Sequence, residues 1–477
     1  MELQGDDIRF TEPEPRSRPG RVALYLLLAV LGILLDWGLI SGRVERPQLF
    51  APTPTPTRTA MSWAEEGQAQ FIAGNLDAAI EAYKMAARLD PHNGSLWAEL
   101  ARVQVYSSAL LPTDEQKFVR RQEALASADK AVEVAPEDPR THAVRAFALD
   151  WLATSNLASV EESDRWLAEA ESEAARALVL AKNDPLALAY YAEVLLDQQK
   201  GLQANNYAQL AVQYGPDLLD THRVYAAVLE TLGQYNKAIQ EYQKAIQLAP
   251  NLTFFYLRAG LIYRHLGGSG QASADYRRTL YQKALDYFDQ AAKINQRLGI
   301  NDPTPYIAIA KTYAQMGEFF IAARNAERAL LMDPTNPNTY AELGIIYIKA
   351  RNYEGSVPVL KCAVRGCSAD EARKIIDDLR KRFTGFDDLK GQPVQALPLT
   401  DRTVGFYYVS YGSVLAALNR CDEALPVLTE VERVYPSDPV LGGIIRENRA
   451  ICRTLEAEQQ PTPLPSTTVT PTLTPQP

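Results

Sequence analysis

At 477 residues with a formal net charge of −9, the chain is long for one globular core and has the wrong charge balance for a protein that grips nucleic-acid backbones. Its lysines and arginines are scattered rather than gathered into a basic stripe, so nucleic acid is not an expected partner. The four cysteines contain no C-x-x-C, and His92, His142, His222 and His265 stand far apart, so no metal site is expected.

The N-terminal tail, residues 1–21, leads into VALYLLLAVLGILLDWGLI, Val22–Ile40, which holds one charged residue. At ~1.5 Å of rise per residue this run is about 28 Å long, close to the hydrocarbon thickness of a bilayer. Asp36 falls near its end beside Trp37, where headgroups and water reach it. The stretch reads as a transmembrane anchor. Arg16, Arg18 and Arg21 would also suit a cleaved signal peptide, but no A-x-A-like site follows. Arg9 joins those three before the helix, against Arg43, Arg46 and Arg58 after it. That imbalance sets the expectation of a single-pass membrane protein, N-terminus in the cytoplasm and body outside. A Pro/Thr linker, residues 41–59, contains Pro52–Thr57 and reads as an extended spacer.

Beyond it the chain repeats. Gly74–Pro91 (GNLDAAIEAYKMAARLDP), Gly233–Pro250 (GQYNKAIQEYQKAIQLAP) and Gly317–Pro334 (GEFFIAARNAERALLMDP) superimpose without gaps. Asn419–Pro436 keeps the frame with asparagine at the turn. Each opens on a turn residue, carries alanines or other small apolar residues at helical spacing and closes on a proline. The preceding halves match as well: Trp63 and Gly67, His222 and Ala226, Tyr306 and Ala310, Tyr340 and Gly344, Tyr408 and Gly412. An aromatic followed four residues later by a small residue marks a helix face that a second helix approaches closely.

This pattern resembles the tetratricopeptide repeat (TPR), a helix–turn–helix of about 34 residues. The resemblance implies an all-α protein, an α-solenoid of about nine units after the N-terminal helix. Units one to eight fill residues 60–370; a charged helix and loop interrupt at 371–404. The last unit and a capping helix occupy 405–457, and a Pro/Thr tail closes the chain at 458–477. Units two, three and six run long, and their extra residues, around Ser107–Val119, Thr154–Arg165 and Gly268–Leu280, are expected between the paired helices.

The resemblance also places the first helix of each unit on a concave face. In the register of the aromatic residue, that face includes Ala143, Phe147 and Trp151; Leu257, Leu261 and Arg264; Ile307 and Lys311; Ile345 and Ile348. Such a lining suits an apolar peptide or partner helix, although each residue could equally pack against its neighbour. The family's carboxylate clamp is not matched: Arg223, Arg264 and Lys311 fall in different units without the accompanying asparagines. In a stack of this kind the start of one second helix meets the end of the next helix, which brings Cys421 to Cys452. Cys362 and Cys367 are a poorer pair unless Gly366 ends their helix; four small buried thiols remain the alternative.

No H-E-x-x-H, G-x-x-x-x-G-K-[ST] or G-x-S-x-G occurs, and Gly267–Gly270 is neither preceded by a strand nor followed by a lysine. No catalytic residue and no cofactor are expected. The reading is a membrane-anchored scaffold or assembly factor that binds other proteins; the alternative is a permanent accessory subunit of one membrane complex.

Overall fold

The computed structural model describes residues 19–40, 58–111, 113–270 and 273–459. The expected tail over residues 1–18, linker over 41–57 and Pro/Thr tail over 460–477 lie outside the described residues. The chain divides into two units, Met1–Arg58 and Thr59–Pro477.

In the first unit the described element is α1, Pro19–Ile40, whose described side chains from Val22 to Leu34 are exposed. Among the described residues no helix is long and apolar enough to cross a membrane. In the sequence the uninterrupted apolar run from Val22 ends at Leu35, where Asp36 follows, short of the roughly 20 residues that a ~30 Å hydrocarbon core requires. The expected transmembrane anchor over Val22–Ile40, and with it the single-pass localisation, therefore does not stand.

The second unit is helical hairpins. They are α2 (Ala60–Ala73) with α3 (Leu76–Leu89), α4 (Gly94–Ser108) with α5 (Asp114–Val134), and α6 (Pro139–Ala153) with α7 (Val160–Leu180). Then come α8 (Pro185–Asp197) with α9 (Gly201–Tyr214), α10 (Leu219–Thr231) with α11 (Tyr235–Leu248), and α12 (Thr253–Gly268) with α13 (Ala274–Leu298). The last pairs are α14 (Thr304–Met316) with α15 (Phe319–Met332) and α16 (Pro337–Lys349) with α17 (Tyr353–Arg365). After the inserted α18 (Ala369–Arg380) follow α19 (Arg402–Ala417) with α20 (Cys421–Val434), and α21 (Pro439–Gln459). Among the described residues the only β contact is an isolated bridge between Cys367 and Val394.

Three local devices recur in the regular hairpins. The turn takes a left-handed residue: Gly74, Gly233 and Gly317 at φ +83°, +72° and +84°. Gln199, Arg351 and Asn419 occupy the same place at φ +64°, +59° and +60°. The small residue on the first helix lets the second approach, since a Cβ on Gly67 or Gly412 would lie 2.7 Å from Tyr83 or Leu428. The aromatic position reaches back six residues to a proline carbonyl: Tyr256 to Pro250 at 2.9 Å and Tyr340 to Pro334 at 3.0 Å. His222 makes the same contact with Pro216 at 2.7 Å, so an imidazole serves where a phenol usually does. A proline carbonyl there ends one helix and anchors the next.

The extra residues of the long units are not mainly loop. They start α5, α7 and α13 early, behind side-chain caps from Thr113, Ser159 and Ser273, so these helices gain turns at their N-termini. Helix is the cheaper form for such polar stretches, because each added residue gains a backbone hydrogen bond once the cap has nucleated the turn. Pro358 and Pro426 sit inside α17 and α20, which continue through them. The carbonyls that each proline leaves without a donor belong to the exposed residues Glu354 and Asp422, where water can serve.

Candidate partner-binding surface

First helices touch in succession, α4 to α6, α8 and α10, and again α12 to α14, α16 and α19. In the first series the inner face is sealed. The turn after α2 meets the start of unit six: a Cβ on Gly74 would lie 2.8 Å from the Asn251 carbonyl oxygen. Asn251 in turn donates to the Ile72 carbonyl at 3.4 Å. Inside that closure lies a buried polar network. Asp220 accepts from Arg102 Nη2 at 2.6 Å, from Tyr106 at 2.7 Å and from Tyr190 at 2.8 Å. Arg223 donates to both oxygens of Glu193 at 2.5 and 2.6 Å, and Glu193 also accepts from Trp151 Nε1 at 3.1 Å. Burial alone would raise the Asp220 pKa, but the two guanidiniums of Arg102 and Arg223 outweigh it and hold the carboxylate below its ordinary value.

Phe147 packs in the middle of this network, stacked on Tyr190 at 4.4 Å between centroids with Arg223 4.9 Å from its ring centre. It is 0% exposed, and the void beside Trp151 has a volume of about 10 Å³, room for one water at most. Phe147 is therefore core, not groove. The expectation that it faces a partner fails because the superhelix turns tightly enough to pack its own inner face. Trp151 is only partly exposed, with its indole N–H already committed to Glu193.

The second series is open. Leu257, Leu261, Arg264, Ile307, Lys311, Ile345 and Ile348 are all half-buried along α12, α14 and α16. Between α14, α16 and α19 lies a hollow of about 350 Å³ lined by Ile307, Lys311, Thr339, Glu342 and Tyr407. Glu342 accepts from Lys311 Nζ and from Tyr407 Oη, each at 2.6 Å. Lys311 is thus neutralised from within rather than poised for an anion. Glu342 and Tyr407 were not read from the sequence; they sit just off the aromatic positions Tyr340 and Tyr408, a register that was in view.

Elsewhere, Cys421 at the start of α20 is bonded to Cys452 on α21, with Cα atoms 5.6 Å apart. Cys362 and Cys367 are also bonded, at 4.7 Å between Cα atoms. Gly366, at φ +72°, ends α17 and turns Cys367 back toward it, where Cys367 also pairs with Val394. A cleft of about 750 Å³ opens between α17, α18 and the turn before α20, with Pro358, Lys361, Ile375 and Leu379 on its walls.

A solenoid of paired helices with this turn, small residue and aromatic defines a helical-repeat protein. Tetratricopeptide-repeat family models match residues 58–94 and 220–252. The chain is a tetratricopeptide-repeat protein, of a fold that generally serves as a non-catalytic scaffold and typically binds other proteins. No curated protein matches it in sequence. Among solved structures it is similar to the thermophilic TPR protein TTC0263 of Thermus thermophilus, at 18% identity and TM-score 0.35, over 43% of this chain and 98% of that one. It is also similar to a human IFIT1 dimer with PPP-AAAA, at 16% identity and TM-score 0.43, over 80% of this chain and 92% of that one. The APC/C hetero-tetramer Cut9–Hcn1 matches at 15% identity and TM-score 0.44, over 88% and 81%. None of these likenesses bears on what the chain binds.

Proposed function

We propose that the protein is a scaffold whose partner contact is the concave face of units six to nine, with units one to five as a rigid support. The observation that carries this reading is the contrast between two inner faces of one array. In the first, aromatic and charged side chains are consumed by their own network. In the second, Leu257, Leu261, Ile307, Ile345 and Ile348 keep part of their apolar surface uncovered, and Ile307 borders a hollow. Such a half-covered apolar row suits an extended segment or one helix of a partner, with apolar anchors seated between successive first helices. The polar trio of Lys311, Glu342 and Tyr407 would fix the register of such a segment by accepting or donating backbone hydrogen bonds.

Photo-crosslinking in cells tests it. Benzoyl-phenylalanine at Ile307 or Ile345 should give one discrete partner adduct, lost when Leu261→Glu is added and the helical circular dichroism is unchanged. Adducts that arise instead from the outer helices α7 and α9, with none from Ile307 or Ile345, would contradict the assignment.

A further inference from the structure

The second helices carry the outer surface of the array, and charge is the usual dress of that surface: Asp77, Glu81 and Arg88 stand exposed on α3, and Asp286, Asp289 and Lys293 on α13. The helix α9 departs from this. From Gly201 to Pro216 the chain reads GLQANNYAQLAVQYGP, and among the described second helices α9 alone holds no Asp, Glu, Lys, Arg or His. Its inner stripe, Ala204, Ala208 and Ala211, already packs against α8 and α10. Helical spacing gathers Leu202, Asn206, Gln209, Leu210, Gln213 and Tyr214 on the opposite side, where all six are exposed, Leu202 at 79%. The hairpin does not require leucines or a tyrosine there.

The uncharged surface extends to the second helices of the adjoining units. On α7 an exposed row at helical spacing runs Ala168, Ser172, Ala175 and Val179, the last 77% exposed. On α11 the corresponding row is Asn236, Gln240, Gln243 and Gln247. Charge borders these rows and is already engaged: Arg176 by Glu137, Lys237 by Gln234 and Lys244 by Glu241. At the two ends of α9 the signs differ. Lys200 stands just before the helix, 3.1 Å from Glu171, and Asp217 just after it, both exposed.

We propose that this outer face of units three to five is where two copies of the chain meet, α9 lying antiparallel on α9 across a two-fold axis. Three properties fit the face to itself. The chain carries a net charge of −9, so two copies repel least where neither presents charge. Asn and Gln side chains both donate and accept, so a row of them complements an identical row turned by a two-fold axis. The antiparallel arrangement sets Lys200 of each copy against Asp217 of the other and brings Leu202 near Tyr214 at both ends. That register puts the axis beside Gln209. A different protein has no need of such matched ends, and an acidic or basic one finds no countercharge along α9. The contact is independent of the concave face of units six to nine, which it leaves open in both copies.

Sedimentation velocity of the full chain over a range of concentrations, with the variants Q209E and Q209R, tests this. Gln209 is exposed and its amide makes a long contact, 3.4 Å to Tyr225 Oη, so helical circular dichroism should be unchanged in both. The wild-type chain should dimerise. Each variant alone should dimerise at least about tenfold more weakly, because like charges meet beside the axis, and an equimolar mixture of the two should recover the loss. Association through any other element, α1 included, would not respond to the sign of residue 209 in this way. A wild-type monomer at every concentration would leave the face to a different protein and overturn the proposal. So would dimerisation unchanged in both variants, or a mixture no tighter than either variant alone.

Discussion

Asp220 holds the first turn of the superhelix together by neutralising Arg102 on α4, which it meets in space although two hairpins and more than a hundred residues of chain lie between them. Removing one member of a buried ion pair leaves its partner charged and unpaired, at a cost of about 3–5 kcal/mol. Asp220→Ala should therefore lower the denaturation free energy by that order, read from urea melts, whereas an exposed pair such as Lys84–Glu81 should give under ~1 kcal/mol. Asp150, fully buried, and its neighbour Asp197 work in the opposite direction. Loss of water around the carboxyls raises both, Asp150 well above its ordinary value and Asp197 to about 6, and the nearby Glu193 carboxylate adds to the effect. Arg223 and Arg121 are the cations facing them. An acid raised by folding contributes stability below its unfolded pKa near ~4 and loses it as pH climbs through the folded value. Asp150→Asn should thus raise the melting temperature at pH 8 and do little or harm at pH 4. An equal gain at both would show that the pair is not titrating. Much of this network lay within reach of the sequence: Arg102, Phe147 and Glu193 each stand five residues after the positions of Trp97, His142 and Leu188. What the sequence does not display is that the inner faces of units two to five meet one another, because that depends on superhelical curvature accumulated over many hairpins.

At the scale of the element, the hairpin itself was legible, since glycine turn, small residue and closing proline each answer a local need. The weak copies show why. Gln199 takes the left-handed turn without glycine's freedom, supported by Lys200 N–H donating to the Leu195 carbonyl at 2.8 Å, as Gln234 does to Leu229 at 2.8 Å beside Gly233. A side chain there costs about 1 kcal/mol, so Gln199→Gly should stabilise by up to ~1 kcal/mol, less the entropy that glycine adds to the unfolded chain. Gly412→Ala should do the reverse, by ~1–3 kcal/mol, because its Cβ would meet Leu428. The long second helices were not legible as helices, since their polar N-terminal turns lack the apolar periodicity that marks the rest; the caps at Thr113 and Ser159 were the available signal. The bond between Cys421 and Cys452 encloses 31 residues of separation and clamps α21, the last described helix. By chain entropy its loss costs about 3–4 kcal/mol. Cys421→Ala/Cys452→Ala should speed amide exchange through α21 first and leave α4 to α10 unchanged.

For the whole molecule, one repeat type yields two different inner surfaces. Units one to five bury theirs around Asp220 and Glu193, and units six to nine leave theirs half-covered. Stability should follow the same division, because local opening is governed by buried contacts and protected hydrogen bonds. The apolar register of the first helices is alike in both halves, and for that reason the sequence placed Phe147 and Ile345 in one groove. Hydrogen exchange of the isolated full chain, followed by mass spectrometry helix by helix, separates them most directly. The expected result is slowest exchange in α4, α6, α8 and α10, with α12, α14 and α16 measurably faster under the same conditions. Equal rates in the two series, or faster exchange in α6 than in α14, would contradict a sealed first turn beside an open second.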